Sequence, residues 1–430
     1  VPSGRLARLA RFGGLAGGLA GNVAVGAVRR LAEGGRPELG DLLLTPANVA
    51  RVTRELAHLR GAAMKMGQLL SMDAGELLPP ELAGIMARLR ADAEAMPPKQ
   101  LKAALDRAWG PGWLARFESF DVRPLAAASI GQVHRARTRD GRDLAIKVQF
   151  PGVRRSIDSD VDNVAALIRL SGLAPQGLDL APLLTEAKRQ LREEADYERE
   201  GAWLRRFGAL VEGSPVFVAP GLHADLTTQD VLAMDYLPGV AVESLSAAPQ
   251  DQRDCLAEHL LDWTLRELLD FGAMQTDPNF ANYRFDAASG RIILLDFGAA
   301  REIPRGVSDG YRRLLAACLA DDATAINAEL IGLGLLEREG LARHHAAIAG
   351  MIAQALEPLR RGGPYDFGDR TLARRLRDEG LALASDRAFW TAPPPDVLLV
   401  QRKLAGMYLL AARLGARVDV RALLERRLAG

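Results

Sequence analysis

Two cysteines in 430 residues, Cys255 and Cys318, leave no basis for a disulfide framework. Both lie in apolar stretches of helical spacing, and we read them as reduced core residues of a cytosolic-type compartment. The six histidines show no metal-ligand spacing; His344 and His345 are adjacent and cannot share a helix face. Lys plus Arg number 55 against 54 Asp plus Glu, a net charge of +1, so there is no basic excess to neutralise nucleic-acid phosphates. Lysine itself is scarce: the only six are Lys65, Lys99, Lys102, Lys147, Lys188 and Lys403. The surface is built with arginine, and a lysine inside an apolar strand is there for its compact charge. Acidic residues are missing from residues 1–32, which carry Arg5, Arg8, Arg11, Arg29 and Arg30. The apolar run between them, residues 12–28, is short and too glycine-rich for a transmembrane helix. An amphipathic helix on a membrane surface, or one packed on the domain, fits it equally.

What is present is an ordinary globular composition, 48% hydrophobic and 25% charged, over a length that suits two or three domains. The most informative stretch is Gln275-Thr276-Asp277-Pro278-Asn279-Phe280-Ala281-Asn282, followed by Leu294-Leu295-Asp296-Phe297-Gly298. Phosphoryl transfer needs a carboxylate near the attacking hydroxyl and a metal ion held against the phosphates. An Asp and an Asn five apart on one loop can serve both, and an apolar strand from Ile292 to Leu295 delivers Asp296 nearby. Phe297 is expected to pack beneath, and Gly298 to let the chain turn sharply. Three residues recur by chance, but the D-x-x-x-x-N element, the apolar run and D-F-G in this order are specific.

Upstream, Leu144-Ala145-Ile146-Lys147-Val148 matches the V-A-I-K strand signature. Leu144, Ile146, Val148 and Phe150 alternate with Ala145, Lys147 and Gln149, the period of a half-buried strand. Ala145 leaves room for an adenine ring, and Lys147 on the same face reaches phosphates. Such a lysine needs a glutamate, and residues 192–200 offer five carboxylates. In a regular helix Asp196 and Glu200 share a face, with Glu194 roughly opposite; spacing alone does not choose among them. In place of a glycine-rich phosphate loop the chain reads Ala126-Ala127-Ala128-Ser129-Ile130-Gly131-Gln132-Val133, a stiffer segment. It leads into a hairpin turning at Arg139-Asp140-Gly141.

Together, A-A-A-S-I-G-Q-V-H, A-I-K-V-Q, E-x-D-Y-x-x-E, Q-T-D-P-N-x-x-N and L-L-D-F-G-A resemble the UbiB/ADCK family of atypical kinases, over most of the chain. Its further hallmark, K-x-G-Q in an N-terminal helical extension, is matched by Lys65-Met66-Gly67-Gln68. The resemblance implies a role in ubiquinone (coenzyme Q) biosynthesis. It implies that Glu200 pairs with Lys147, that Asp277 is the catalytic-loop Asp, and that Asn282 and Asp296 bind metal. It also implies a regulatory contact of Glu194 and Asp196 with the helix of Lys65 and Gln68.

The expected fold is α+β: a bilobal protein-kinase-like fold with a helical extension over residues 1–118, an N-lobe over 119–238 with a helical insertion at 155–192, and a mostly helical C-lobe over 239–430. Helices are expected over 45–89 and 99–108, with a break at Gly110-Pro111-Gly112 and strands from about Phe120. Gln229 to Tyr236 reads as a strand whose end, Asp235 to Leu237, forms the adenine hinge. Beyond residue 240 only the strands around Asp277 and Asp296 are expected to interrupt the helices. The nucleotide-binding set is Ala126, Ala127, Ala128, Ser129, Lys147, Asp235 and Leu237, with Mg²⁺ and ATP or ADP as cofactors.

After Gly298 there is no A-P-E and no long activation loop, so a peptide substrate has no platform. The expected activity is ATP hydrolysis or phosphorylation of a small lipid-like molecule; the alternatives are a nucleotide-sensing scaffold with little turnover and a small-molecule phosphotransferase of the aminoglycoside or choline kinase type. The last predicts a histidine in the loop and no K-x-G-Q, which this sequence does not match. Expected partners are an adenine nucleotide, a quinone-precursor lipid or membrane surface, and other quinone-biosynthesis proteins, but no nucleic acid. The expected location is cytoplasmic and peripheral at a membrane, on the matrix side in an organelle.

Overall fold

The computed structural model describes residues 95–170, 181–336, 342–360, 362–384 and 393–429. The expectations for Lys65, Gln68, the helix over 45–89 and the arginine-flanked run at 12–28 lie outside them. The described residues divide into two units: one of 95–201 with Leu222–Tyr236, the other of Ala202–Gly221 with the chain from Leu237 onward.

The first unit begins with helix α1 (Pro98–Trp109), which carries proline at its first position. It ends at Gly110, and both Gly110 and Gly112 take positive φ, so the expected break is a place where a side chain would be strained. Strands β1 (Phe117–Phe120), β2 (Ala126–Ala127), β3 (Gly131–Thr138) and β4 (Asp143–Gln149) follow. Next come helices α2 (Val153–Leu170), α3 (Ala181–Glu194) and α4 (Tyr197–Leu210). Strand β5 (Phe217–Val218) belongs to the second unit and β6 (Val231–Asp235) to the first. The first unit's sheet runs β1-β3-β4-β6, all antiparallel, with β2 on β3. One face is the core: Leu144, Ile146 and Val148 of β4 cluster with Leu101 and Leu105 of α1, Trp113, Phe117 and Ala233.

The period-two pattern places β4 correctly, but the strand is not half-buried. Ala145, Lys147 and Gln149 are 9%, 7% and 3% exposed. β4 is a central strand, and its second face meets the α3–α4 junction: Gln149 Nε2 donates to the Ala195 carbonyl at 2.7 Å while Lys147 reaches α4. The first strand also starts at Phe117, earlier than expected, because Trp109, Trp113, Phe117 and Phe120 form one aromatic cluster with centroids 5.0–5.8 Å apart.

In the second unit, β7 (Val240–Ala241), α5 (Gln250–Leu269), β8 (Ala273–Gln275), β9 (Tyr283–Asp286), β10 (Arg291–Leu294) and β11 (Ala300–Glu302) precede a helical block. That block is α6 (Arg305–Leu319), α7 (Ala323–Gly332), α8 (Ala342–Ala355), α9 (Glu357–Arg360), then β12 (Tyr365–Asp366), α10 (Thr371–Ala384), α11 (Pro395–Leu414), β13 (Arg417–Val418) and α12 (Val420–Leu428). Besides the strands around Asp277 and Asp296, β7, β12 and β13 interrupt the helices. Each is two residues long, too short to show a period. Three small sheets result: β5-β10-β9-β7, β11-β8 and β12-β13. The helical core gathers Leu268, Met274, Leu330, Val400 and Leu423.

The two cysteines part company. Cys318 is buried in this helical core, as expected. Cys255 is exposed, its Sγ 3.3 Å from His259 Nε2. It shares the outer face of α5 with exposed Asp251, four residues earlier, while Leu256 and Leu260 turn inward.

Candidate active site

In the first unit, Lys147 Nζ bonds both carboxylate oxygens of Glu200, at 2.9 and 3.0 Å, with side chains 9% and 2% exposed. The helix expected to run through residues 192–200 is broken. α3 ends at Glu194, and Asp196 starts α4 by accepting from the Arg199 N–H at 3.1 Å. Asp196 is therefore a helix cap, not a neighbour of Glu200 on one continuous face. Glu200 sits in the first turn of α4, where the helix dipole favours a carboxylate. The Lys147 ammonium also lies 5.2 Å from the centre of the fully buried Tyr197 ring.

The alanine loop forms β2 and a tight turn, in which the Ala128 N–H donates to the Gly131 carbonyl. Ala126 and Ala127 are exposed, and Ser129 Oγ donates to Glu194 Oε2 at 3.1 Å. Gly131 is needed for space: a Cβ there would stand 2.4 Å from the Val148 carbonyl oxygen and 2.9 Å from the Tyr197 hydroxyl. Gln132 and His134 of the same motif face inward. Gln132 Oε1 accepts from the Met96 N–H at 2.7 Å, so its Nε2 donates to His134 Nε2 and His134 Nδ1 donates to the Asp121 carbonyl. Burial holds the His134 imidazole below its ordinary value despite that carbonyl. At the end of β6, Asp235 Oδ1 meets His223 Nε2 at 2.8 Å, and the Tyr236 N–H is spent on the Asp143 carbonyl. Leu237, half-buried, opens the second unit.

In the second unit, β8 and β11 pair with Gln275 opposite Ala300, so the stretches leading to Asp277 and away from Asp296 are bound as one frame. Thr276 Oγ1 adds a 2.8 Å bond to the Ala299 carbonyl. Asn279 caps the short turn Phe280–Asn282, and Asn282, 4% exposed, donates to the Asp277 carbonyl at 3.4 Å. The Asn282 carbonyl in turn receives the Leu295 N–H. Phe297 is buried as expected, 4.9 Å from the Phe207 ring. The sharp turn, however, is made by Asp296: its φ is +57°, whereas Gly298 is not among the glycines with positive φ. A left-handed aspartate is uncommon and clusters at functional sites. It is held by Gln275 Nε2 on its carbonyl at 3.1 Å and by the Gly298 N–H on its own Oδ1 at 3.2 Å.

Two residues at this loop escaped the sequence reading. Lys403 of α11 is fully buried. Its Nζ donates to Gln275 Oε1 at 2.9 Å and Tyr283 Oη at 2.5 Å, and lies 3.4 Å from Glu267 Oε2. Burial pushes the Glu267 carboxyl above its ordinary value, against the pull of Lys403. Burial opposes the Lys403 ammonium too, but Glu267 and Tyr283 more than offset it. Beside it, Arg402 Nη2 is 3.8 Å from Asp277 Oδ1. The signal for Lys403 was available: it is one of six lysines and stands in an apolar helix, the same ground on which Lys147 was chosen.

An oxygen set of one carboxylate and one carboxamide, Asp296 and Asn282, suits a hard cation that keeps phosphate and water ligands, which is the habit of Mg²⁺. Among the described residues no cluster of three His, Cys, Asp or Glu could hold a metal ion.

The ABC1 atypical kinase-like domain matches residues 88–330. The chain is 35% identical over 421 residues to the mitochondrial atypical kinase COQ8 of Saccharomyces cerevisiae, covering 97% of this chain and 83% of that one. It is 36% identical over 430 residues to mitochondrial atypical kinase COQ8B of Rattus norvegicus, covering 99% and 80%. Among solved structures, the Rv3197–erythromycin complex from Mycobacterium tuberculosis superposes with a TM-score of 0.62 at 25% identity, covering 86% of this chain and 93% of that one. A kinase-like fold of mixed helices and sheets, the family's motifs and near full-length similarity converge: the chain belongs to the ABC1 family of atypical kinases, the UbiB/ADCK group.

Proposed function

We propose that the chain is a Mg²⁺- and adenine-nucleotide-dependent phosphotransferase or ATPase that supports synthesis of ubiquinone or a related isoprenoid quinone, acting on water or a small acceptor and not on proteins in trans. The quinone role rests on the family and on the COQ8 relatives, both mitochondrial. Lys147 binds phosphate oxygens, with its ammonium aimed by Glu200. The loop of Ala126, Ala127, Ala128 and Ser129 lies along the nucleotide, and the backbone of Asp235 and Leu237 meets adenine. Asp277 orients the attacking hydroxyl and takes its proton. Asn282 and Asp296 hold the metal, which when bound neutralises charge building on the phosphate oxygens. Lys65 and Gln68, with Glu194 and Asp196, restrain access from the N-terminal extension of residues 1–118. The six residues between Gly298 and α6 include β11, leaving no long segment for a peptide platform.

The observation that carries this reading is Asp296, kept in a left-handed conformation by two bonds from the loop and turn that flank it. Saturation with Mg-ATP or Mg-ADP at about 100 times Kd is expected to stabilise the protein by about 2.7 kcal/mol. Asp296→Asn should lose most of that gain. A variant that keeps the full Mg²⁺-dependent rise in melting temperature refutes the metal assignment. Phosphate release on the same preparation separates enzyme from sensor: nucleotide stabilisation without turnover would mark a sensing scaffold.

A further inference from the structure

Helix α11 lies against the loop carrying Asp277 so closely that no side chain fits between them. A Cβ on Gly406 would stand 2.1 Å from Pro278 Cβ. One turn earlier, Arg402 reaches the same loop with its side chain 5% exposed. Its 3.8 Å approach to Asp277 Oδ1 is an ion pair and too long for a hydrogen bond. Among the described residues, neither Nε nor Nη2 of this buried guanidinium has a hydrogen-bond partner. Those two N–H groups lie side by side on one edge of the planar group, the fork that grips two oxygens of a phosphate or carboxylate. The neighbouring cation is different: Lys403 is met by Gln275, Tyr283 and Glu267. A buried donor edge left empty costs free energy, so the arrangement asks for an acceptor that Asp277, at its distance, does not supply.

We propose that the Nε–Nη2 edge of Arg402 is a receptor for a small oxyanion, phosphate or carboxylate, seated beside Asp277. Its meaning rests on the kinase reading: phosphate would be the released product or transferred group, and carboxylate the handle of an acceptor molecule. Its binding requires neither nucleotide nor metal. The Asp277 charge repels the anion, so neutralising Asp277 tightens the site.

The test is calorimetric titration of inorganic phosphate, and separately of acetate, into the full chain without nucleotide or metal. Wild type, Asp277→Asn and the double variant Asp277→Asn with Arg402→Lys are compared. Phosphate is expected to bind Asp277→Asn about tenfold more tightly than wild type, and the double variant should lose at least that gain because lysine has no fork. Phosphate without acetate assigns the site to the phosphoryl group, and binding of both assigns it to an acceptor carboxylate as well. No anion binding to either wild type or Asp277→Asn overturns the proposal, as does undiminished binding in a folded double variant. Should the double variant fail to fold by circular dichroism, wild type against Asp277→Asn decides alone, and equal affinities reject it. Loss of the kinase reading would show in the Mg-nucleotide experiment and leave these titrations unchanged.

Discussion

Lys147 and Glu200 form a buried ion pair whose removal from one side is costlier than removal from both. Lys147→Ala takes from the Glu200 carboxylate, 2% exposed in the wild type, the ammonium that bonds both its oxygens. Destabilisation by about 3–5 kcal/mol is expected, read as a lower urea midpoint, with part recovered by adding Glu200→Gln. A Lys147→Ala midpoint indistinguishable from wild type would show that Glu200 is compensated elsewhere. Lys147 was legible in the sequence because a lone lysine interrupts an alternating apolar strand in a chain with few lysines. Glu200 was named by the family resemblance and not by spacing, because choosing it among five carboxylates required knowing that the helix breaks at Ala195 and Asp196, a turn bound by Gln149 of the same strand as Lys147. The cysteines show the same limit: an apolar neighbourhood does not say which face of a helix points inward. Burial raises the Cys318 thiol to about 11, and burial with Glu258 and Asp251 nearby raises Cys255. Alkylation of the native protein at neutral pH should label Cys255 alone, slowly and faster as pH rises, with Cys318 reacting only in denaturant. Mass spectrometry identifies the site; prompt labelling of Cys318 would contradict the placement of α6.

At the scale of elements, the frame around the Asp277 loop is set by α11, which begins more than a hundred residues after the loop. The motif residues were legible because local spacing carries them, and the helix that supports them was not. Contacts of such separation leave no period in the sequence, and only the scarcity of lysine marked Lys403. Its surroundings predict a double-mutant signature. Lys403→Met strands the buried Glu267 carboxylate and releases Gln275 and Tyr283, so a loss of about 3–5 kcal/mol is expected. Glu267→Gln added to Lys403→Met should recover most of it, since an uncharged pair needs no compensation. Urea midpoints for the four proteins give the coupling. Additive losses would mean that the two groups do not interact as the 3.4 Å separation implies.

Across the whole molecule, stability in mild acid should depend on the buried His134. Two donors fix the state of His134: Gln132 gives a proton to its Nε2, and its own Nδ1–H is given to Asp121. Protonation would place a second hydrogen against the Gln132 amide, whose other end is held by Met96. The fold therefore keeps His134 neutral below its ordinary value of 6.5, while the unfolded chain takes up the proton near that value. The unfolded state then binds more protons in this window, so stability rises with pH through it and falls on acidification. The contribution is present above about pH 6.5 and is lost progressively below it, with a slope of at most about 1.4 kcal/mol per pH unit for one proton. Ordinary carboxylates titrate at lower pH, whereas burial raises Glu267, so the His134 share of the interval from about 5 to 6.5 is read as the difference between the wild type and a variant that keeps Glu267. His134→Gln replaces the ring with a side chain that cannot charge, and it should flatten the pH dependence of the unfolding midpoint in that interval even where it lowers the midpoint itself. The slope, not the absolute stability, is the readout, because a substitution in this core costs packing at every pH. An unchanged slope in the variant would transfer the acid sensitivity to another group, and would mean that the Gln132–His134–Asp121 chain tolerates an imidazolium.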